Sequence, residues 1–246
     1  MSIQSTLEKM SQLKLEGMAN ELERQMSNPT SNEIPFEERM RVLVDHELTF
    51  RANKRTKIFL KKAKLQMNAC IAEINYQAPR GIDKAYLLSL KSLDWVQQCH
   101  NLIITGPTGT GKTWLACAMG HQACLLGRST YYVRMPILKA DFLAAHATNT
   151  FKKFLNNLAK FELLIVDEWG MQSLNQLLQE DMFELIDARL GTKSTIFNSQ
   201  TPIDGWHNAL DNKNIADAIL DRLIHSSHTL RLEGESLRRK VKKLSD

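Results

Sequence analysis

The stretch GPTGTGKT, residues 106–113, lies between NLIIT, an apolar run of strand length, and WLACAMGHQAC, a helical pattern. No other feature constrains the fold as strongly. It fits G-x-x-x-x-G-K-[ST], with Gly106, Gly111, Lys112 and Thr113 in the specified places. Gly106, Pro107, Thr108, Gly109, Thr110 and Gly111 are expected to curl their backbone around a phosphate chain. The helix that follows turns its N-terminal N–H groups toward the same anion. Lys112 would reach the terminal phosphates, and Thr113 would offer a hydroxyl to Mg²⁺.

From about residue 100 onward, short apolar runs alternate with longer helical patterns. The runs are NLIIT, STYYVR, LLIVD, STIFNS and HTLRL. The intervals between them hold crossover helices, which predicts a parallel sheet with helices on both faces. In FELLIVDEWG, residues 161–170, a buried strand carries Asp167 and Glu168 to its C-terminal end, the end where the phosphate loop also lies. Asp167 is placed to hold Mg²⁺, and Glu168 to polarise a water for attack on a γ-phosphate. That second carboxylate favours hydrolysis over phosphoryl transfer to an acceptor, so a metabolic kinase is disfavoured. STIFNSQTP, residues 194–202, ends another strand in Asn198, Ser199 and Gln200. A polar side chain there can touch both the γ-phosphate and the attacking water; Gln200 is the first choice and Asn198 the second.

Residues 1 to about 76 contain little glycine and form helical patterns. Leu15, Met18, Leu22 and Met26 keep a helical period that NPTSNEIP breaks, and a long helical stretch follows from about 36 to 74. YQAPRGID, residues 76–83, marks the division between a domain at 1–78 and a second at 79–246. Within the long stretch, RANKRTKIFLKKAK (51–64) carries seven Lys or Arg and no acid. On a helix, Arg51, Lys54, Arg55, Lys57, Lys61, Lys62 and Lys64 cover about half the circumference. Ala52, Phe59, Leu60 and Ala63 occupy the other half, and Ile58 is out of place. A solvated surface and a phosphate-tracking surface both fit this pattern.

A net charge of +5 favours an anionic partner without requiring one. Cys70, Cys99, Cys117 and Cys124 form no CxxC pair, which points to a reducing, cytoplasmic setting. Cys117, His121 and Cys124 share a helical face, but in an apolar stripe where thiols serve as core residues. No run has the roughly 20 apolar residues of a membrane span, so no membrane partner is expected. His225 and His228 are expected to pack or cap.

Together, FEERMRVLVDHELTFRANKR, GPTGTGKT, LLIVDEWG, SQTP, ADAILDRLIHSSH and GESLRR resemble the AAA+ ATPases of the DnaC/IstB group, and within it the IstB transposition helpers. The resemblance implies an AAA+ P-loop core (a parallel sheet between helices) preceded by an all-α N-terminal domain that binds DNA and oligomerises. It implies ATP and Mg²⁺ as cofactors, with ATP held between subunits of a homo-oligomer. It also implies assembly on duplex DNA and recruitment of the transposase of the same element. Arg222 matches the family's arginine finger, acting across the subunit interface, and Arg238 its second sensor arginine. Gln200 falls at the first sensor, where many relatives carry Asn. Only eight residues follow Arg238, in keeping with a lidless core. In such a protein the basic 51–64 helix is expected to track duplex phosphates, with Lys152 and Lys153 as weaker candidates. A DnaC-like replicative helicase loader is the alternative, and a scaffold that binds ATP without turnover is another.

Overall fold

The computed structural model describes residues 3–76, 80–171, 173–210 and 212–237. The chain divides into two compact units, 1–58 and 59–246. Helices α1 (Ile3–Gln12), α2 (Glu16–Ser27) and α3 (Phe36–Ala63) account for the N-terminal part. Pro35 precedes α3, and Glu37 and Glu38 fall in its first turn, where acids complement the helix dipole. In the first unit, α2 buries Gly17, Ala19 and Glu21 rather than its larger apolar residues; Met26 is exposed. Small residues there bring α2 close to α3. The His46 ring lies 2.8 Å from Gly17 O, and Met18 N donates to Glu47 Oε2 at 3.0 Å.

Helix α3 stops at Ala63, well short of the expected 74, and Lys64 takes a left-handed φ of 51°. The reason is apolar. Ala69, Ile71 and Ile74, with Leu65 and Met67 beside them, belong to the core of the second unit, and a straight helix could not deliver all of them there.

In that second unit, α4 (Lys84–Lys91) and α5 (Asp94–Gln97) lead into β1 (Asn101–Thr105). Then follow α6 (Lys112–Leu125), β2 (Thr130–Arg134), α7 (Met135–Ala147), α8 (Phe151–Ala159) and β3 (Leu163–Trp169). The remainder is α9 (Gln176–Arg189), β4 (Ser194–Ser199), α10 (Lys213–Ile224) and β5 (Ser227–Arg231). The expected apolar runs are the five strands. They form one sheet in the order β2-β3-β4-β1-β5, every pairing parallel.

Strand alternation divides the core in two. Leu102, Ile104, Leu163, Ile165 and Ile196 join one cluster with α4, α5, α6 and the 69–74 segment. Ile103, Leu164, Val166 and Phe197 join the other, with α7, α8, α9 and α10. The connection from β1 runs toward β2 at one edge and that from β4 toward β5 at the other. A crevice therefore opens at the C-terminal ends of the central strands, where such sheets place their ligands. Among the described residues, no helix is long and apolar enough to cross a membrane.

Candidate functional site

The loop after β1 owes its glycines to close contacts. Gly106 has φ +147°, and a Cβ there would run into Leu232 O; Gly109 has φ +85°, and a Cβ there would collide with the Ser236 side chain. The backbone holds the same approach in place, with Leu232 N donating to Thr105 O at 2.7 Å and Leu237 N to Gly109 O at 3.0 Å. Helix α6 starts at Lys112. The Lys112 side chain is buried, and its Nζ donates to Gly106 O at 2.6 Å and Pro107 O at 2.8 Å. Thr110 is also buried and donates to Pro107 O.

The acidic pair rests on an irregularity in β3. Val166 pairs with Phe197 and Trp169 with Ser199, so β3 carries one residue more than β4 over this span. Glu168 sits in the bulge with φ +65°, a left-handed conformation that costs a non-glycine residue about 1 kcal/mol or more. The strand thus continues past the expected end, and Asp167 and Glu168 are turned apart within it. Asp167, almost fully buried, accepts from Thr113 Oγ1 and from Tyr132 OH, each at 2.8 Å to Oδ2. Burial first, then the Asp167 charge, pushes the Tyr132 pKa up, so this phenol stays a donor. Tyr132 also bonds Gln66. A hydroxyl and a carboxylate side by side are the hard oxygen donors that suit Mg²⁺, so Thr113 and Asp167 fit that ion. Glu168 is held differently: Arg134 Nη2, from the end of β2, donates to Oε1 at 2.8 Å and Oε2 at 3.0 Å.

At the end of β4, Asn198 and Gln200 differ sharply. Asn198 is fully buried, and neither polar atom of its amide has a hydrogen-bond partner among the described residues. Gln200 is exposed; its Oε1 accepts from Thr108 Oγ1 at 2.5 Å, and its Nε2 contacts Met171 Sδ at 3.2 Å. Both side chains line a cavity of about 550 Å³ with Lys112, Thr113, Asp167 and Glu168. That volume suits a small-molecule ligand.

Arg222 lies on α10, outside the lining of that cavity. Its Nε donates to Asp187 Oδ1 at 2.9 Å, and its guanidinium stacks over Phe183 at 4.6 Å. Arg238 lies outside the described residues. The seven basic residues of 51–64 are all exposed. Arg51 Nε pairs with Glu47 Oε1 at 2.6 Å and Lys54 Nζ with Glu16 Oε2 at 3.1 Å. Lys64 lies over the Tyr131 ring. Cys117 and Cys124 are buried in α6.

Sequence reasoning missed Arg80, Tyr132 and Arg134. Arg134 carries a usable signal, because the end of β2 neighbours the end of β3 in a parallel sheet. Tyr132 and Arg80 carry none, since an apolar-strand tyrosine and an arginine in a Pro–Gly segment look ordinary in sequence.

A five-stranded parallel sheet of this order, with a phosphate loop after β1 and carboxylates in β3, defines an AAA+ P-loop nucleotide-binding fold. The DnaC helicase loader has this fold: its crystal structure aligns with a TM-score of 0.58 at 18% identity, over 69% of this chain and 99% of that one. The chain belongs to the family of IstB-like ATP binding proteins, whose sequence model matches residues 8–245. Among its relatives is the insertion sequence ATP-binding protein y4pL of Sinorhizobium fredii, 38% identical over 240 residues, covering 98% of each chain. Another is the ATP-binding protein of insertion sequence IS1162 from Pseudomonas fluorescens, 44% identical over 203 residues, 82% of this chain and 88% of the relative.

Proposed function

We propose that this chain is an ATP-dependent, DNA-binding ATPase that assembles on duplex DNA and assists the transposase of its insertion sequence. The observation that carries the ATPase reading is the convergence of Lys112, the Thr113–Asp167 contact and the unpaired Asn198 amide on one cavity. Membership of the family and the insertion-sequence relatives support the link to transposition. The likeness to the helicase loader is one of fold, and the loader function stays the alternative.

In this reading Lys112 exchanges the loop carbonyls for phosphate oxygens, and the start of α6 binds the same chain. Thr113 and Asp167 hold Mg²⁺, which neutralises phosphate charge when bound. Glu168 orients the attacking water and accepts its proton. Asn198 supports the first sensor role better than Gln200. A buried amide with free donor and acceptor can bond the γ-phosphate and the water together, whereas Gln200 is already engaged. Arg222 acts on the ATP of a neighbouring subunit, and Arg238 on that of its own. The helical part, 1–78, binds DNA and oligomerises, while 79–246 is the ATPase. Residues 59–76, within the second compact unit, supply part of its core.

Glu168→Gln tests this reading. The amide cannot accept a proton, so the variant should bind Mg²⁺-ATP and assemble on duplex DNA while single-turnover hydrolysis stops. Hydrolysis at the parental rate would sink the assignment.

A further inference from the structure

Arg80 is a buried arginine with no ion-pair partner among the described residues. It is 6% exposed, and its Nη2 donates to Asn75 O at 2.6 Å. Its Nε is buried with no hydrogen-bond partner among the described residues. Desolvation by burial lowers its pKa. A guanidinium taken out of water with a donor unspent is costly, and such a group is retained where something else completes it.

Its position indicates what that is. Arg80 lines the same cavity as Lys112 and Asn198, and its Nη1 lies 3.2 Å from where a Cβ on Gly111 would stand. Gly111 caps α6, so the guanidinium stands beside the N–H groups that open that helix. Backbone donors, helix dipole and a fixed planar cation then converge on one place, a combination that selects a phosphate oxygen. Asp167, Glu168 and Asn198 gather where the terminal phosphate is handled; Arg80 approaches the loop at Gly111 instead.

We infer that Arg80 binds the phosphate chain of the nucleotide at a phosphate that ATP and ADP share, making it an affinity determinant rather than a γ-phosphate sensor. The inference rests on the reading of this cavity as a nucleotide site. It adds a cation from the segment before β1 to the one in the loop.

The test uses the full chain, with ATP and ADP affinities measured by calorimetry and inorganic tripolyphosphate as a competitor. Charge-assisted hydrogen bonds of this kind set the expected loss for Arg80→Met at about 10- to 100-fold, equal for ATP and ADP. Tripolyphosphate should weaken in parallel, and Arg80→Lys should recover part of the loss. The nucleotide-free Met variant should melt no lower than the parent, because a buried uncompensated charge has been removed. The inference is overturned if ADP affinity is unchanged, or if ADP weakens while tripolyphosphate competes as before, which would place Arg80 on the base or ribose. It is equally overturned if the nucleotide-free Met variant is clearly destabilised or unfolded and Arg80→Lys binds ADP no better than it does. If the parent binds neither ATP nor ADP, the nucleotide reading falls first; if the parent binds both and only the Arg80 variants behave as parent, that reading stands and the inference alone falls.

Discussion

Arg134 holds both carboxylate oxygens of Glu168 through one nitrogen, at 2.8 and 3.0 Å. A carboxylate so occupied is not available to take a proton from water, so the pair should restrain basal hydrolysis. Its strength follows from exposure, because the Arg134 side chain is 44% exposed and that of Glu168 29%. The hydrogen bond to Glu168 raises the Arg134 pKa, but water screens a pair this open. An exposed ion pair is worth about 0.2–1 kcal/mol, so Arg134→Ala should raise the basal turnover rate by about 1.4- to 5-fold. The ATP concentration for half-maximal rate should hardly move, since neither group of the pair is assigned to binding ATP. The assay is steady-state phosphate release at low salt without DNA, with Glu168→Gln and the double variant alongside. In the Glu168→Gln background, Arg134→Ala should change nothing. A fall of tenfold or more for Arg134→Ala would refute the reasoning, because it would mean that Arg134 stabilises the transition state.

If the 51–64 surface neutralises duplex phosphates, replacing Lys57, Lys61 and Lys62 by Gln should flatten the dependence of log affinity on log salt. The slope should fall by about 0.9 for each phosphate left without its cation. Arg51 and Lys54 should contribute less, being engaged by Glu47 and Glu16; an unchanged slope in the triple variant returns the helix to a solvated surface. Arg222→Ala and Lys112→Ala should each be inactive alone. Mixed before co-assembly on DNA, they should restore about a quarter of the interfaces if the finger acts across subunits, whereas a mixture as dead as either variant assigns Arg222 to its own chain.

What could be seen in the sequence was whatever depends on local pattern. The strand runs and the phosphate loop are set by apolar alternation and glycine spacing, and they stand where expected. The end of α3 was not visible, because no Pro or Gly falls between Pro35 and Pro79 to stop the helix, while a core distant in sequence claims Leu65, Met67, Ala69, Ile71 and Ile74. The choice between Asn198 and Gln200 was equally hidden. It depends on which side chain β4 turns into the protein and which finds Thr108, and neither is a local property. Arg80 escaped for the same reason: its neighbours are distant in sequence, Gly111 in the loop and Glu233, more than 150 residues further on, whose N donates to Arg80 O at 2.8 Å.

The bulge in β3 acts as a phase shifter. Up to Val166 the strand counts strictly in twos; the extra residue resets the count, so that Trp169 returns to the side of Leu164 and Val166 and meets Phe197 at a centroid distance of 5.3 Å. Removing one residue here would leave every earlier core side chain in place. The tryptophan would also keep its side, because a regular strand one residue shorter alternates to the same face, but only one position would remain between Val166 and the tryptophan for the two carboxylates. Straightening the strand at its present length would instead turn Trp169 to the face of Leu163 and Ile165, the α6 side. The extra residue is therefore what lets one short span serve two ends, a tryptophan in the core on one face and two separately placed carboxylates, and its deletion should cost hydrolysis far more than melting temperature.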